Sequence, residues 1–196
     1  MPVSFTALLS EIESCQLCAG SLPHGVRPVV QLYPDAKVLI AGQAPGRRVH
    51  ESGVPFDDPS GERLRRWMGV ERDEFYDAHE IAILPMGFCY PGTGMSGDLP
   101  PRPECAPAWR GRAMSALTGV RLTLVIGMYA QKYHLPGAGK TLTAAVSDWR
   151  RFWPDAVPMP HPSPRNRRWL AQNPFFEAEV VPALQARIRD LLGRPA

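Results

Sequence analysis

The chain contains no apolar run long enough to cross a bilayer, which excludes a membrane-spanning helix. No basic flank leads into an apolar stretch with a small-residue cleavage site at the N-terminus, so the expected location is the cytoplasm. Charge of one sign is scarce as well. Twenty-two basic and 19 acidic residues leave a net charge of +3, too little for a polycation that coats nucleic acid indiscriminately. Any basic surface must be local. Internal repeats and linkers are also missing, and 196 residues at 44% apolar content suit one domain, residues 1–196, with a real core. The expected state is a monomer.

Proline, by contrast, is plentiful: the 22 prolines are about double a typical usage of 5%. They cluster between Tyr90 and Pro107 and between Pro154 and Pro164. Four short apolar runs read as buried strands: Val38 to Ala41, Ile81 to Leu84, Leu122 to Ile126, and Ala156 to Met159. Each gap between them is long enough for a helix, the rhythm of a parallel sheet with helical crossovers. Phe5, Leu8, Leu9 and Ile12 recur at helical spacing after a candidate cap at Ser4, and Leu64, Trp67 and Met68 do so after Ser60. A closing helix is expected from Pro174 onward, with Pro182 as a kink or break. The fold class is α/β.

In an open α/β sheet, ligands bind beyond the carboxyl ends of the strands. Three unusual stretches fall there: "GQAPGRR" after the first strand, "PMGFCYPGTG" after the second and "HPSPRNRR" after the last. Glycine lets backbone approach a ligand, and histidine donates a hydrogen bond or titrates near neutral pH. The cysteines form a second constellation. Cys15 and Cys18 stand as CxxC after the first helix, while Cys89 and Cys105 bracket a proline-rich loop. In a cytosolic chain this pattern favours a metal site over disulfides, and four thiolates suit either zinc or an iron-sulfur cluster. Its expected role is to staple the first helix onto the loop after the second strand.

These residues resemble the uracil-DNA glycosylase superfamily, and within it the iron-sulfur bacterial and archaeal branches called families 4 and 5. "GQAPG" (Gly42 to Gly46) looks like the first active-site motif, "GVPF" (Gly53 to Phe56) like the segment carrying the aromatic that stacks on uracil, and "HPSPRN" (His161 to Asn166) like the last motif. The resemblance implies a four-stranded, mainly parallel sheet between helical layers, forming an αβα sandwich. It implies DNA containing uracil as partner and hydrolysis of the N-glycosidic bond, leaving an abasic site. It favours a 4Fe-4S cluster on Cys15, Cys18, Cys89 and Cys105, with zinc as the alternative.

The resemblance also assigns roles. His161 would hydrogen-bond the departing uracil as charge develops on it. Phe56 would stack on the flipped base. Gly42, Ala44, Pro45 and Gly46 would hold the first loop against the substrate. Arg165 takes the wedge position, and Ser163, Asn166, Arg167 and Arg168 join it as the expected DNA-contacting set. Gly127 is added to that set on separate grounds, since it opens the helix after the third strand and a helix N-terminus seats a phosphate.

Two departures stand out. The family's water-positioning Asp, Asn or Glu falls where this chain has Gln43 and Ala44; glutamine orients a water but cannot take its proton. Asp57 and Asp58 are the nearest substitutes, Asp58 slightly ahead of Asp57, either as stabilisers of a cationic sugar or as base for the water, the other reading being two acidic helix caps. Related branches also place an asparagine four residues before the third cysteine, where Pro85 stands here, so base recognition is expected to rest on backbone groups of Met86, Gly87 and Phe88. Three other readings remain: a glycosylase of broader deaminated-base range, a non-catalytic protein that binds uracil or abasic sites, and a nucleotide- or phosphate-binding hydrolase whose "GQAPGRR" lacks the Lys-Ser/Thr pair of the usual phosphate loop.

Overall fold

A computed structural model describes residues 4–95 and 97–194. Its centre is a parallel sheet of four strands, β1 (Val38–Ala41), β2 (Ile81–Ile83), β5 (Leu122–Ile126) and β6 (Ala156–Met159), in the order β2-β1-β5-β6. All four apolar runs become strands, β2 ending one residue early. The register runs Val38 beside Ile81 and Leu122, and Thr123 beside Ala156. Every residue of β1 and β2 is buried, as a parallel sheet covered on both faces requires.

Alternate residues of β1 feed the two helical layers. Val38 and Ile40 pack with Leu64, Trp67 and Met68 of α3 (Pro59–Met68), Phe75 of α4 (Arg72–Phe75), Val146 of α7 (Leu142–Ser147), and Leu184 and Ile188 of α9 (Val181–Leu191). On the opposite face Leu39 packs with Leu8 and Ile12 of α1 (Phe5–Glu13) and Ala113 of α5 (Cys105–Ala116), while Ala41 and Val125 meet Ala130 of α6 (Gly127–His134). Helices α2 (Arg47–Ser52) and α8 (Arg167–Gln172) are short and follow the first and last motifs. This is the expected three-layer sandwich. No helix among the described residues is long and apolar enough to cross a membrane.

Local signals explain most boundaries. Ser4 caps α1, accepting from Ala7 N at 3.2 Å. The cap of α3 is Asp58 rather than the neighbourhood of Ser60: proline is favoured at the first helical position, so Pro59 moves the start forward. The closing segment passes through a wide π turn, Phe176–Val180, that runs directly into α9; Pro182 follows it inside the continuous helix, where its missing N–H interrupts the ladder and the wide turn absorbs the break. The loop after β2 holds an element the sequence did not announce, the two-stranded hairpin β3 (Thr93–Gly94) and β4 (Gly97–Asp98).

Candidate active site

Beyond β1 the chain keeps pairing. Met86 N donates to Gly42 O and Gly87 N to Gln43 O, both at 2.9 Å, extending the ladder of Leu84 N to Ile40 O past the strand ends. The first motif is thereby held as a rigid lip over a cavity of about 340 Å³, large enough for a small planar ligand. Gly42, Gln43, Ala44, Pro45, Gly46, Phe56, Asp58, His161, Ser163 and Arg165 all line it. Three separate stretches of sequence thus meet at the carboxyl edge of the sheet, where the strand ends place a ligand site.

His161 follows β6 and is fixed from both sides of its loop. Ser163 N donates to its Nδ1 at 3.2 Å and Asn166 Nδ2 to its carbonyl at 2.7 Å, while Arg63 Nη1 binds Ser163 O at 3.0 Å. With Nδ1 accepting, the neutral ring carries its proton on Nε2. Burial holds the imidazole below its ordinary pKa, opposed by the carboxylates of Asp58 and Asp98, which favour the charged form. The site therefore presents a neutral N–H donor.

Phe56 has φ of +54°, a left-handed conformation that is costly for an aromatic residue and that a packed surround must enforce. Gly61 is part of that surround, since any Cβ there would strike Phe56 O. The ring meets Phe75 edge-on, centroids 6.1 Å apart, and lies 3.7 Å from the position a Gly42 Cβ would take. Asp58 does two things. Its Oδ1 accepts from Gly61 N at 2.8 Å as the cap of α3, and its side chain lines the cavity.

Several expected residues stand elsewhere. Asp57 turns away and pairs with Arg72 at 3.3 Å, in a separate surface cleft. Met86 and Gly87 spend their N–H groups on Gly42 and Gln43, and Phe88 N faces Cys105 Sγ at 3.4 Å, so none of the three amides is left to read a base; Phe88 itself is a core side chain. Gly127 is buried, with φ of +80°, and the Gln43 side chain fills the place a Cβ would occupy. It makes room for Gln43 rather than seating a phosphate. Arg167 and Arg168 are exposed on α8, outside the cavity, and Asn166 serves the loop. Conversely Asp98, on β4, lines the cavity unannounced, as does Arg48, and Pro85, at the place of the related branches' asparagine, lines it as well. The cue was a Gly-rich stretch around two residues, Gly94 and Gly97, which marks a hairpin turn.

The four cysteines line a second cavity together. Trp109 Nε1 donates to Cys15 Sγ at 3.3 Å. Burial pushes the Cys89 thiol to about 11 and the Cys105 thiol to about 12, and it raises Cys18 as well. Among the described residues no three His, Cys, Asp or Glu side chains are arranged to hold a single metal ion.

The chain is similar to the solution NMR structure of a Methanosarcina acetivorans protein named as a candidate uracil DNA glycosylase, with 17% identity, a TM-score of 0.45, and coverage of 83% of this chain and 94% of that one. The model of the uracil DNA glycosylase superfamily matches residues 30–185, a span that contains the first motif, Phe56, the hairpin and the last motif. The chain belongs to the uracil DNA glycosylase superfamily.

Proposed function

We propose that this protein hydrolyses the N-glycosidic bond of uracil in DNA, releasing free base and leaving an abasic site. The observation that carries the reading is that His161, whose Nδ1 accepts from Ser163 N, and Phe56 line one base-sized cavity. A flipped uracil would stack on Phe56 while its carbonyl accepts from His161. As the C1′–N1 bond breaks, the electron pair leaves with the base, and the histidine donor stabilises the resulting anion. Water then adds to the cationic C1′ and loses a proton. Asp58 is the residue for that step: its cap bond uses Oδ1, leaving Oδ2 for the water or the sugar. Gln43 leans toward Gly127 and Ala44 has no polar side chain, so neither competes for the role.

The test is release of free base from labelled oligonucleotides carrying uracil, hypoxanthine or xanthine. Asp58→Asn keeps an oxygen to cap α3 while removing the charge, so the fold should hold while single-turnover release falls by about 10²-fold, the lower range for loss of a general base. Asp57→Asn should stay near native. An Asp58→Asn protein as fast as native would remove the carboxylate from the mechanism, and a native chain that binds the DNA but frees no base would favour the damage-binding reading.

The cysteine cavity fits a 4Fe-4S cluster. Four thiols surround one space without single-ion spacing, and two of them already receive N–H donors, from Trp109 and the Phe88 amide. A single zinc would draw four sulfurs to about 2.3 Å from one centre; a cluster accepts wider ones. When bound, the group would tie the segment after α1 to the start of α5, and no step of the hydrolysis is routed through it. The expected preparation is brown, with about four irons and four acid-labile sulfides per chain, and Cys105→Ser should lose both colour and thermal stability. Stoichiometric zinc in place of iron would overturn the assignment.

A further inference from the structure

Met95 stands at the tip of the β3–β4 hairpin and is fully exposed, at 109% of its reference area. A lone exposed methionine needs no explanation in general; this one is held out on a built support beside the cavity mouth. Thr93 pairs with Asp98 and Gly94 with Gly97, and Leu99 N closes the base of the hairpin onto Gly92 O at 2.8 Å. The buried Tyr90 hydrogen-bonds the Thr93 hydroxyl, and Leu99 Cδ2 lies 3.0 Å from where a Gly94 Cβ would be. The hairpin's position is equally defined. Asp98 lines the cavity, its Oδ2 3.6 Å from the place of a Gly46 Cβ, and a Cβ on Gly97 would strike the Arg165 guanidinium. The hairpin is therefore lodged between the first motif and the last.

We infer that this hairpin is a second probe of duplex DNA, with Met95 entering the base stack next to the nucleotide held in the cavity while Arg165 works from the facing loop. The inference rests on the proposed DNA substrate. Methionine is among the apolar side chains that proteins insert between base steps, where the unstacking is offset by the contacts that the deformed duplex allows. It suits the place because its unbranched thioether fills irregular gaps. Of the arginines that line the mouth, Arg47 pairs with Glu51 at 2.9 Å, which leaves Arg48 and Arg165 as the cations for phosphates, while the carboxylates of Asp58 and Asp98 lie on the cavity wall. Asp98 is the one acidic group on the hairpin itself, and it faces the cavity rather than the tip.

The experiment follows the fluorescence of 2-aminopurine placed beside uracil in a duplex oligonucleotide, at saturating full-length protein, with base release measured on the same samples. Native protein should brighten the probe. Met95→Ala should lose most of that rise, roughly threefold or more, with little change in duplex affinity, and Met95→Leu should keep it. An equal rise with Met95→Ala, while uracil is still released, would overturn the hairpin's role and leave the glycosylase reading standing. A Met95-dependent rise without any base release would do the reverse. No rise with native protein, or a change of sedimentation in Met95→Ala that marks the tip as a contact between copies of the chain, would also overturn it.

Discussion

Replacing His161 by alanine is expected to slow uracil release by roughly 10²–10³-fold, the usual cost of removing one preorganised donor from a developing anion. The structure gives three reasons to expect the effect in the chemical step. Ser163 N occupies Nδ1, so the neutral ring has its hydrogen on Nε2. Burial keeps the ring below its ordinary pKa despite two carboxylates, so at neutral pH no proton must leave before the donor is ready. The surrounding loop is held by Asn166 and Arg63, so the donor does not reorganise as charge appears on the base. The loss should fall on the single-turnover rate and leave the dissociation constant for uracil DNA nearly unchanged, because a carbonyl in the bound state demands far less of the donor than an anion does. His161→Asn, which retains an N–H, should recover part of the rate. An alanine variant that weakens binding in proportion to its rate would assign His161 to substrate holding instead.

How much of this was legible in sequence depended on whether the signal was local. The four strands were, because burial on both faces makes each a continuous apolar run, Val38 to Ala41 being the clearest. The α1 cap was legible for the same reason: one serine and a helical repeat suffice. Asp58 was only slightly preferred over Asp57. Adjacent residues at a helix start point in different directions, and the choice between them was made by Gly61 and Arg72, neither of which can be weighed without coordinates. Met86 to Phe88 failed as base readers for a further reason. None of the three lines the cavity, whose wall at this point is Pro85, and the ladder with Gly42 and Gln43 had consumed the amides of Met86 and Gly87; strand pairing past the strand ends leaves no mark in composition. Asp98 was missed because a two-residue strand pair carries no periodicity, only turn residues.

Arg110 carries the largest expected effect on stability. It lies on α5 with no exposed surface, and its Nη1 donates to Leu84 O at 3.1 Å and Pro85 O at 2.9 Å, two carbonyls at the end of β2 next to the cavity wall. Its Nε donates to His134 Nε2 at 2.9 Å, and its guanidinium lies 5.3 Å from the Tyr133 ring centroid. Burial lowers the guanidinium to about 10, which still leaves it charged. Arg110→Ala would leave those carbonyls buried without donors and should cost about 3–5 kcal/mol of unfolding free energy, read from urea denaturation at pH 7. Arg110→Met restores volume without donors and should recover only a minor part. The same contact fixes a pH dependence. His134 accepts from Arg110 and must be unprotonated, and burial, then the Arg110 charge, pushes it down to about 3. The unfolded chain takes up that proton near 6.5, so the stabilisation is complete above this value and is lost as pH falls from 6.5 toward 3, by about 1.4 kcal/mol per unit for one histidine. His161 is shifted in the same direction, so the native slope just below pH 6.5 should exceed that of one site. His134→Gln, which keeps an acceptor for Arg110 but cannot titrate, should remove one proton's share of the slope. If the slope were unchanged in that variant, His134 would have to be protonated in the folded protein, which its acceptor role toward a buried guanidinium forbids.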